Sequence, residues 1–171
     1  MNVVILRLND MASDARTWRE AAALAEAGHS VTVVALAGEG LLMREDADGF
    51  TITRSLSSTT ATARQPLRKL RQSREREESA VQAALAARPD IVHAHDTDTL
   101  SAGARIKRLT GATLVYGAYE LYPEMLIANR ANVPAPILAY WRSVERLLVP
   151  QADAVVTVGD AVAEELRGRF G

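Results

Sequence analysis

Short aliphatic runs alternate along this chain with longer stretches in which apolar positions return every three or four residues. The runs are NVVILRL at 2–8, SVTVVAL at 30–36, DIVHAH at 90–95, ATLVY at 112–116 and DAVVTV at 153–158. Near-continuous apolar runs of this length fit strands covered on both faces, as in a parallel sheet. FTITR at 50–54 alternates instead and reads as an edge strand. A helix over 13–27 sets Trp18, Ala21, Ala22 and Ala25 on one face, and Gly28 ends it. A second, over 67–87, carries Leu67, Leu70, Val81, Ala84 and Leu85 toward its ends around a polar middle, RQSREREES. Three more are predicted over 97–109, over 136–149 and from Asp160. The 136–149 helix repeats Ile137, Tyr140, Trp141, Val144 and Leu148, and the last presents Val162, Leu166 and Phe170 at intervals of four.

Strand–helix alternation over the whole chain predicts a doubly wound α/β fold with a mainly parallel sheet and a single domain spanning 1–171. Ligands in such sheets bind beyond the carboxyl ends of the strands. The loops to inspect are therefore 9–14, 37–49, 95–98, 117–123 and 159–160. The segment SLSSTTATARQ, 55–65, is small and polar and reads as a mobile loop.

Composition narrows the function classes. The chain has 171 residues and net charge −1, so no whole-molecule field draws it to nucleic acid. It has no cysteine, which excludes disulfides and thiolate metal sites and fits a reducing cytoplasm. MNVVILRL lacks the basic flank of a signal peptide, and no apolar run approaches the ~18 residues of a membrane span. One local charge run stands out: Arg64, Arg68, Lys69, Arg71, Arg74 and Arg76 face Glu75 alone. It is a candidate for peripheral contact with anionic lipid, against the plainer reading of a solvated helix face.

The loop after the first run holds no glycine, so neither GxGxxG nor GxxxxGK[ST] is present there. His93 and His95 lie two apart on a strand and project to one face. With Asp96 or Asp98 they allow a metal site, but no further His or Cys completes a shell. The reading that fits the sheet puts His93 inside, hydrogen-bonded, and His95 with Asp96 at the mouth. His29 follows the helix-ending glycine and reads as a turn residue. In YGAYELYPE, 116–124, Glu120 is a candidate acid, base or hydroxyl acceptor, or else a charge at a helix start.

Four stretches together resemble the N-terminal half of the GT-B-fold, family 4 retaining glycosyltransferases. DARTWREAAALAEAGHSVTVVA, from Asp14, looks like the family's D-x-R-x-x-R-E-A opening. PDIVHAHDTDTL is similar to its D-V-V-H-A-H-D strand end. GATLVYGAYELYPE is similar to its G-A-K-L-V-Y-D-S-H-E-L-Y-P-E segment. VERLLVPQADAVVTVGDAVAEELRGRFG resembles its E-R-x-L and A-D-A-V-I-T-V-S-E stretch. The resemblance implies a Rossmann-like three-layer αβα sandwich, one half of a GT-B fold, with the C-terminal donor-binding domain absent.

It further implies sugar transfer from a nucleotide-sugar to a glycan, lipid or small-molecule acceptor in cell-envelope or exopolysaccharide synthesis. No cofactor and no metal are required, the location is the cytoplasm or the inner face of the membrane, and the isolated chain is expected to be inactive. Carried over residue by residue, Tyr119 and Glu120 fall at catalytic positions. Asp14, Arg16, His95, Asp96, Gly159 and Asp160 fall at substrate-binding positions. Two departures stand out: Tyr119 replaces the histidine of D-S-H-E, and Gly159 replaces a serine. Tyrosine donates a hydrogen bond but is a poor base near neutral pH. The departures leave open a non-catalytic α/β binding module built on the same fold.

Overall fold

The computed structural model describes residues 1–55, 66–129 and 132–171, apart from the side chains of 66–71. The 55–65 loop beyond Ser55, and Arg64, Leu67, Arg68, Lys69, Leu70 and Arg71 as side chains, lie outside the described residues.

Strand β1 (Asn2–Leu6) is the middle of the sheet, because its apolar run leaves no polar face to give to water. It pairs in parallel with β2 (Ser30–Leu36) on one side and β5 (Ile91–His95) on the other. Outward from β2 come β4 (Phe50–Ser55), parallel, and β3 (Arg44–Ala47), antiparallel. Outward from β5 come β6 (Thr113–Ala118) and β7 (Ala154–Thr157), both parallel. The order is β3-β4-β2-β1-β5-β6-β7.

Each face of the sheet carries its own core. Helix α1 (Ala15–Glu26) lays Trp18, Ala21, Ala22 and Ala25 against Val31, Val33, Phe50 and Ile52. On the other face lie α2 (Pro66–Ala86), α3 (Thr97–Thr110), α5 (Ala135–Leu148) and α6 (Asp160–Phe170). There Val4, Leu6, Val92, Leu100, Ile106 and Leu114 form one cluster with Val81, Ala84 and Leu166. Each such aliphatic side chain contributes about 1.5–3 kcal/mol on burial. A short α4 (Tyr122–Asn129) precedes α5.

Three expectations change. The 50–54 run is not an edge strand, because β3 covers it through a two-residue turn at Asp48 and Gly49, φ 45° and 82°. Asp-Gly with both residues at positive φ is the turn whose twist matches a hairpin. The 153–158 run is not covered on both faces: β7 closes the sheet edge, and Val155 and Val156 are 44% and 46% exposed. The α5 apolar stripe is only partly spent on the core, through Leu148. The buried residue of that helix is Glu145, while Ile137 and Tyr140 remain exposed.

Gly103 of α3 faces the sheet at close range. A Cβ there would lie 2.9 Å from Leu114 Cδ1 and 3.0 Å from Ala94 Cβ. Gly103→Ala adds about 1 kcal/mol of helix propensity, and overpacking costs about 1–3 kcal/mol. The expected net result is a melting temperature lower by a few degrees, read by calorimetry; a rise would show that the α3–sheet spacing yields.

Candidate functional site

The carboxyl ends of β1, β5 and β6 open onto a cleft of about 360 Å³. Its lining includes Arg7, Asn9, Asp14, Arg16, Thr17, His95, Asp96, Tyr119 and Glu120. Six of the residues singled out from sequence are thus brought together: Asp14, Arg16, His95, Asp96, Tyr119 and Glu120. Gly159 and Asp160 are not; they start α6 past the end of β7 and line neither this cleft nor its neighbour.

Arg7, one residue past β1, organises the cleft. Its Nε donates to Asp14 Oδ2 at 2.6 Å, and its Nη1 donates to Asp96 Oδ2. Asp14 is also the N-cap of α1, accepting from the Thr17 N–H at 3.1 Å and from Asn9 Nδ2 at 2.7 Å. Burial works against its ionised form, but these donors and Arg7 outweigh burial and hold the carboxyl down at about 2. Asp96 links β5 to α3 with φ 63° and ψ 166°, a region that non-glycine residues rarely enter. The ion pair to Arg7 and the bond from its N–H to Gly117 O, 2.8 Å, hold it there. Its Oδ1 is buried without a partner.

Below the cleft floor lies a second network. Glu20, one helical turn after Arg16, accepts from His93 Nδ1 at 2.5 Å and lies 3.2 Å from His95 Nε2. The Tyr119 hydroxyl donates to Glu20 Oε2 at 3.2 Å and lies 3.3 Å from His95 Nε2. His95 Nδ1 meets Thr17 Oγ1 at 3.2 Å. His93 is therefore inside and hydrogen-bonded, as expected. His95 is deeper than expected: it is 0% exposed and forms the floor of the cleft. Burial favours the neutral imidazole of His95 and lowers its pKa, against the pull of Glu20. Burial opposes the charge on Glu20, yet the two histidine hydrogen bonds win and lower its pKa. The Tyr119 hydroxyl is pushed upward by burial and then by the Glu20 charge, so it serves as a donor and not as a base.

Arg16 lies over the Tyr119 ring, 4.4 Å from guanidinium carbon to centroid. That contact is worth about 0.5–1 kcal/mol at an exposed site and holds the cation at the rim. Glu120 is exposed on the same rim. For a metal, Glu20, His93 and His95 each offer one ligand atom, all within 4.8 Å of one another. The third member is a helix residue, not the Asp96 or Asp98 considered from sequence, and hydrogen bonds among the three already tie them together.

Sequence reading passed over Arg7, Thr17 and Glu20. Two signals were present: a lone cation at the end of an apolar strand, and Arg16 and Glu20 spaced four apart on one helix face.

Arg7 is also the wall of a second cleft, about 310 Å³, on the α2–α3–α5 side of the sheet. Asp98, Tyr122 and Trp141 line it. Among the described residues, no helix is long and apolar enough to cross a membrane.

An open, mainly parallel sheet with a polar cleft at its strand ends is a Rossmann-like α/β fold, the class to which each half of a GT-B glycosyltransferase belongs. The sequence profile described as Glycosyltransferase Family 4 matches residues 15–171, and the chain belongs to that family. Sucrose-phosphate synthase from Thermosynechococcus elongatus superposes with a TM-score of 0.74 at 13% identity, over 98% of this chain and 45% of its own. CalG4, the calicheamicin glycosyltransferase, superposes with a TM-score of 0.51 at 18% identity, over 96% of this chain and 43% of its own. This chain thus spans less than half the length of these two structures. No curated protein sequence matches it.

Burial, followed by the charge of Asp96, pushes the Asp98 carboxyl from 3.8 up to about 7. The folded chain then holds more protons than the unfolded one between about pH 4 and 7. Stability therefore falls as pH rises through that window and levels off above it. Asp98→Asn removes this dependence and is expected to gain on the wild type by on the order of 2 kcal/mol between about pH 5 and pH 8. Urea unfolding at the two pH values checks it; a constant difference between the proteins would contradict the buried-acid account.

Proposed function

We propose that this chain is the acceptor-side half of a retaining hexosyltransferase. It moves a sugar from a nucleotide-sugar to an acceptor glycan, lipid or small molecule. The observation that carries this reading is the cleft at the strand ends. There a braced cation and exposed or half-buried carboxylates converge on one open space in a family 4 chain.

The residues divide the work by their chemistry. Glu120 accepts a hydrogen bond from an acceptor hydroxyl, and Asp96, fixed by Arg7, orients a second. Arg16, held over Tyr119, meets negative charge on the acceptor or on the leaving diphosphate. Tyr119 supplies a hydrogen bond where the resemblance leads one to expect histidine. Gly159 and Asp160, at the α6 N-terminus, are left to contact a ligand that reaches beyond this cleft. The donor is bound mainly by a second domain, no metal or other cofactor takes part, and this chain alone is inactive. The setting is cell-envelope or exopolysaccharide assembly on the cytoplasmic side. The basic stretch from Arg64 to Arg76 would offer contact with the inner face of the membrane.

A second reading is favoured by one observation: the Tyr119 hydroxyl is locked between Glu20 and His95, with its pKa raised. On that reading the chain is a non-catalytic binding module that kept the fold.

Nucleotide release from a panel of nucleotide-sugars, with the full coding sequence expressed, separates the two. Transfer is expected, and Glu120→Gln and Arg16→Ala should each lower kcat/KM by about ten- to a hundredfold. Tyr119→His is expected to raise transfer. No turnover with any donor, before or after Tyr119→His, would leave the binding module as the better account.

A further inference from the structure

The second cleft has the chemistry of a binding site in its own right. Its aromatic wall is Tyr122 of α4 with Tyr140 and Trp141 of the α5 stripe. Trp141 packs edge-on against Tyr122 at 4.8 Å and against Tyr140 at 5.0 Å, so its ring is held while Tyr140 stays 58% exposed. Asp98 lines the same cleft, and its Oδ1 is buried and without a hydrogen-bond partner. A carboxyl in the lining with hydrogen-bonding capacity to spare is an acceptor for a ligand hydroxyl. Among the described residues, the Trp141 indole N–H also makes no hydrogen bond.

Charge narrows the occupant. Arg7 is already held by Asp14 and Asp96, Arg76 has interactions of its own, and Asp98 and Glu77 are acids. Among the described residues, two cations are matched by two acids, so the lining has no net positive charge to select a phosphate or a carboxylate. What remains is a neutral molecule with one apolar face and a rim of hydroxyls. A pyranose ring has that shape: its C–H face suits the electron-rich face of an aromatic ring, and its hydroxyls suit a carboxylate. The cleft's 310 Å³ is at the small end of ligand sites, room for one ring and not for a chain.

We propose that this cleft is a subsite for a single hexopyranose ring, stacked on Trp141 and Tyr122 and held by Asp98 through its hydroxyls. That the ring belongs to the acceptor rests on the transferase reading above; its binding does not. Because Arg7 lines both clefts, a ring seated here lies next to the residues assigned to transfer.

The test needs no donor. The chain has two tryptophans, so Trp18→Phe leaves Trp141 as the sole reporter. In that background, methyl hexopyranosides of gluco, galacto and manno configuration are titrated against Trp141 emission. Binding is then repeated by saturation-transfer NMR on otherwise wild-type protein. At least one hexoside should bind in the millimolar range. Asp98→Asn should weaken it by about tenfold or more, Trp141→Ala should abolish it, and Trp141→Phe should keep most of it. Circular dichroism confirms that each variant is folded. The proposal is overturned if no hexoside binds, if uridine binds in their place, or if binding survives both Asp98→Asn and Trp141→Ala. Ring binding as described, in a full protein that transfers nothing, would sink the transferase reading and leave this subsite standing.

Discussion

Two carboxylates and one guanidinium hold the functional end of this sheet together. Arg7 leaves β1 between the N-cap of α1 and the turn from β5 into α3, and it binds the carboxylate of each. Without that cation, Asp14 and Asp96 would face each other as two half-buried negative charges, a costly arrangement in a poorly solvated cleft. With it, three chain segments far apart in sequence are locked at one point. The strained backbone of Asp96 is a consequence. A non-glycine residue keeps such a conformation only where its surroundings over-determine it, and here an ion pair and a backbone hydrogen bond to β6 do so.

The same side chain divides the space above the sheet. On the α1 side, the open volume is polar and rests on the Glu20–His93–His95–Tyr119 network. On the α3 side it carries the aromatic rings of Tyr122, Tyr140 and Trp141 and an acid, Asp98, whose Oδ1 has no hydrogen-bond partner. Two environments this different, a few residues apart, push neighbouring carboxyls in opposite directions. Asp14 is drowned in donors and stays charged, while Asp98 is buried beside a like charge and holds its proton toward neutrality. This is the usual way that one fold sets several acids to several tasks. A deeper acid, Glu145, accepts from Thr97 under the same region and is also raised by burial.

Much of the fold was legible. The aliphatic runs became β1, β2, β5 and β6 because a central parallel strand has no solvent face to encode. The five predicted helices match α1, α2, α3, α5 and α6 to within a residue or two, while α4 was given no range. The two strand misreadings share one cause. Whether a strand is central or at an edge depends on what lies beside it, and that is a tertiary fact. β4 alternates like an edge strand, yet a hairpin covers it. β7 is apolar like a central strand, yet it closes the sheet. The hairpin had a local signal in Asp48-Gly49; the exposure of β7 had none.

The site divides in the same way. The sequence alone named the loops at the carboxyl ends of the strands as the place to look, because ligands of open parallel sheets bind there, and the family resemblance singled out Asp14, Arg16, His95, Asp96, Tyr119 and Glu120 within them. It also showed that a tyrosine stands where the resemblance leads one to expect a histidine. Only the tertiary structure decided what each side chain does there. Arg7 and Arg16 read alike on paper, but one is neutralised by two aspartates and the other stands free over a tyrosine ring. His93 and His95 share a face, but Glu20, from a different element, engages both. Charge state, hydrogen-bond partner and access to solvent are set by neighbours distant in sequence, and no local pattern of residues encodes them.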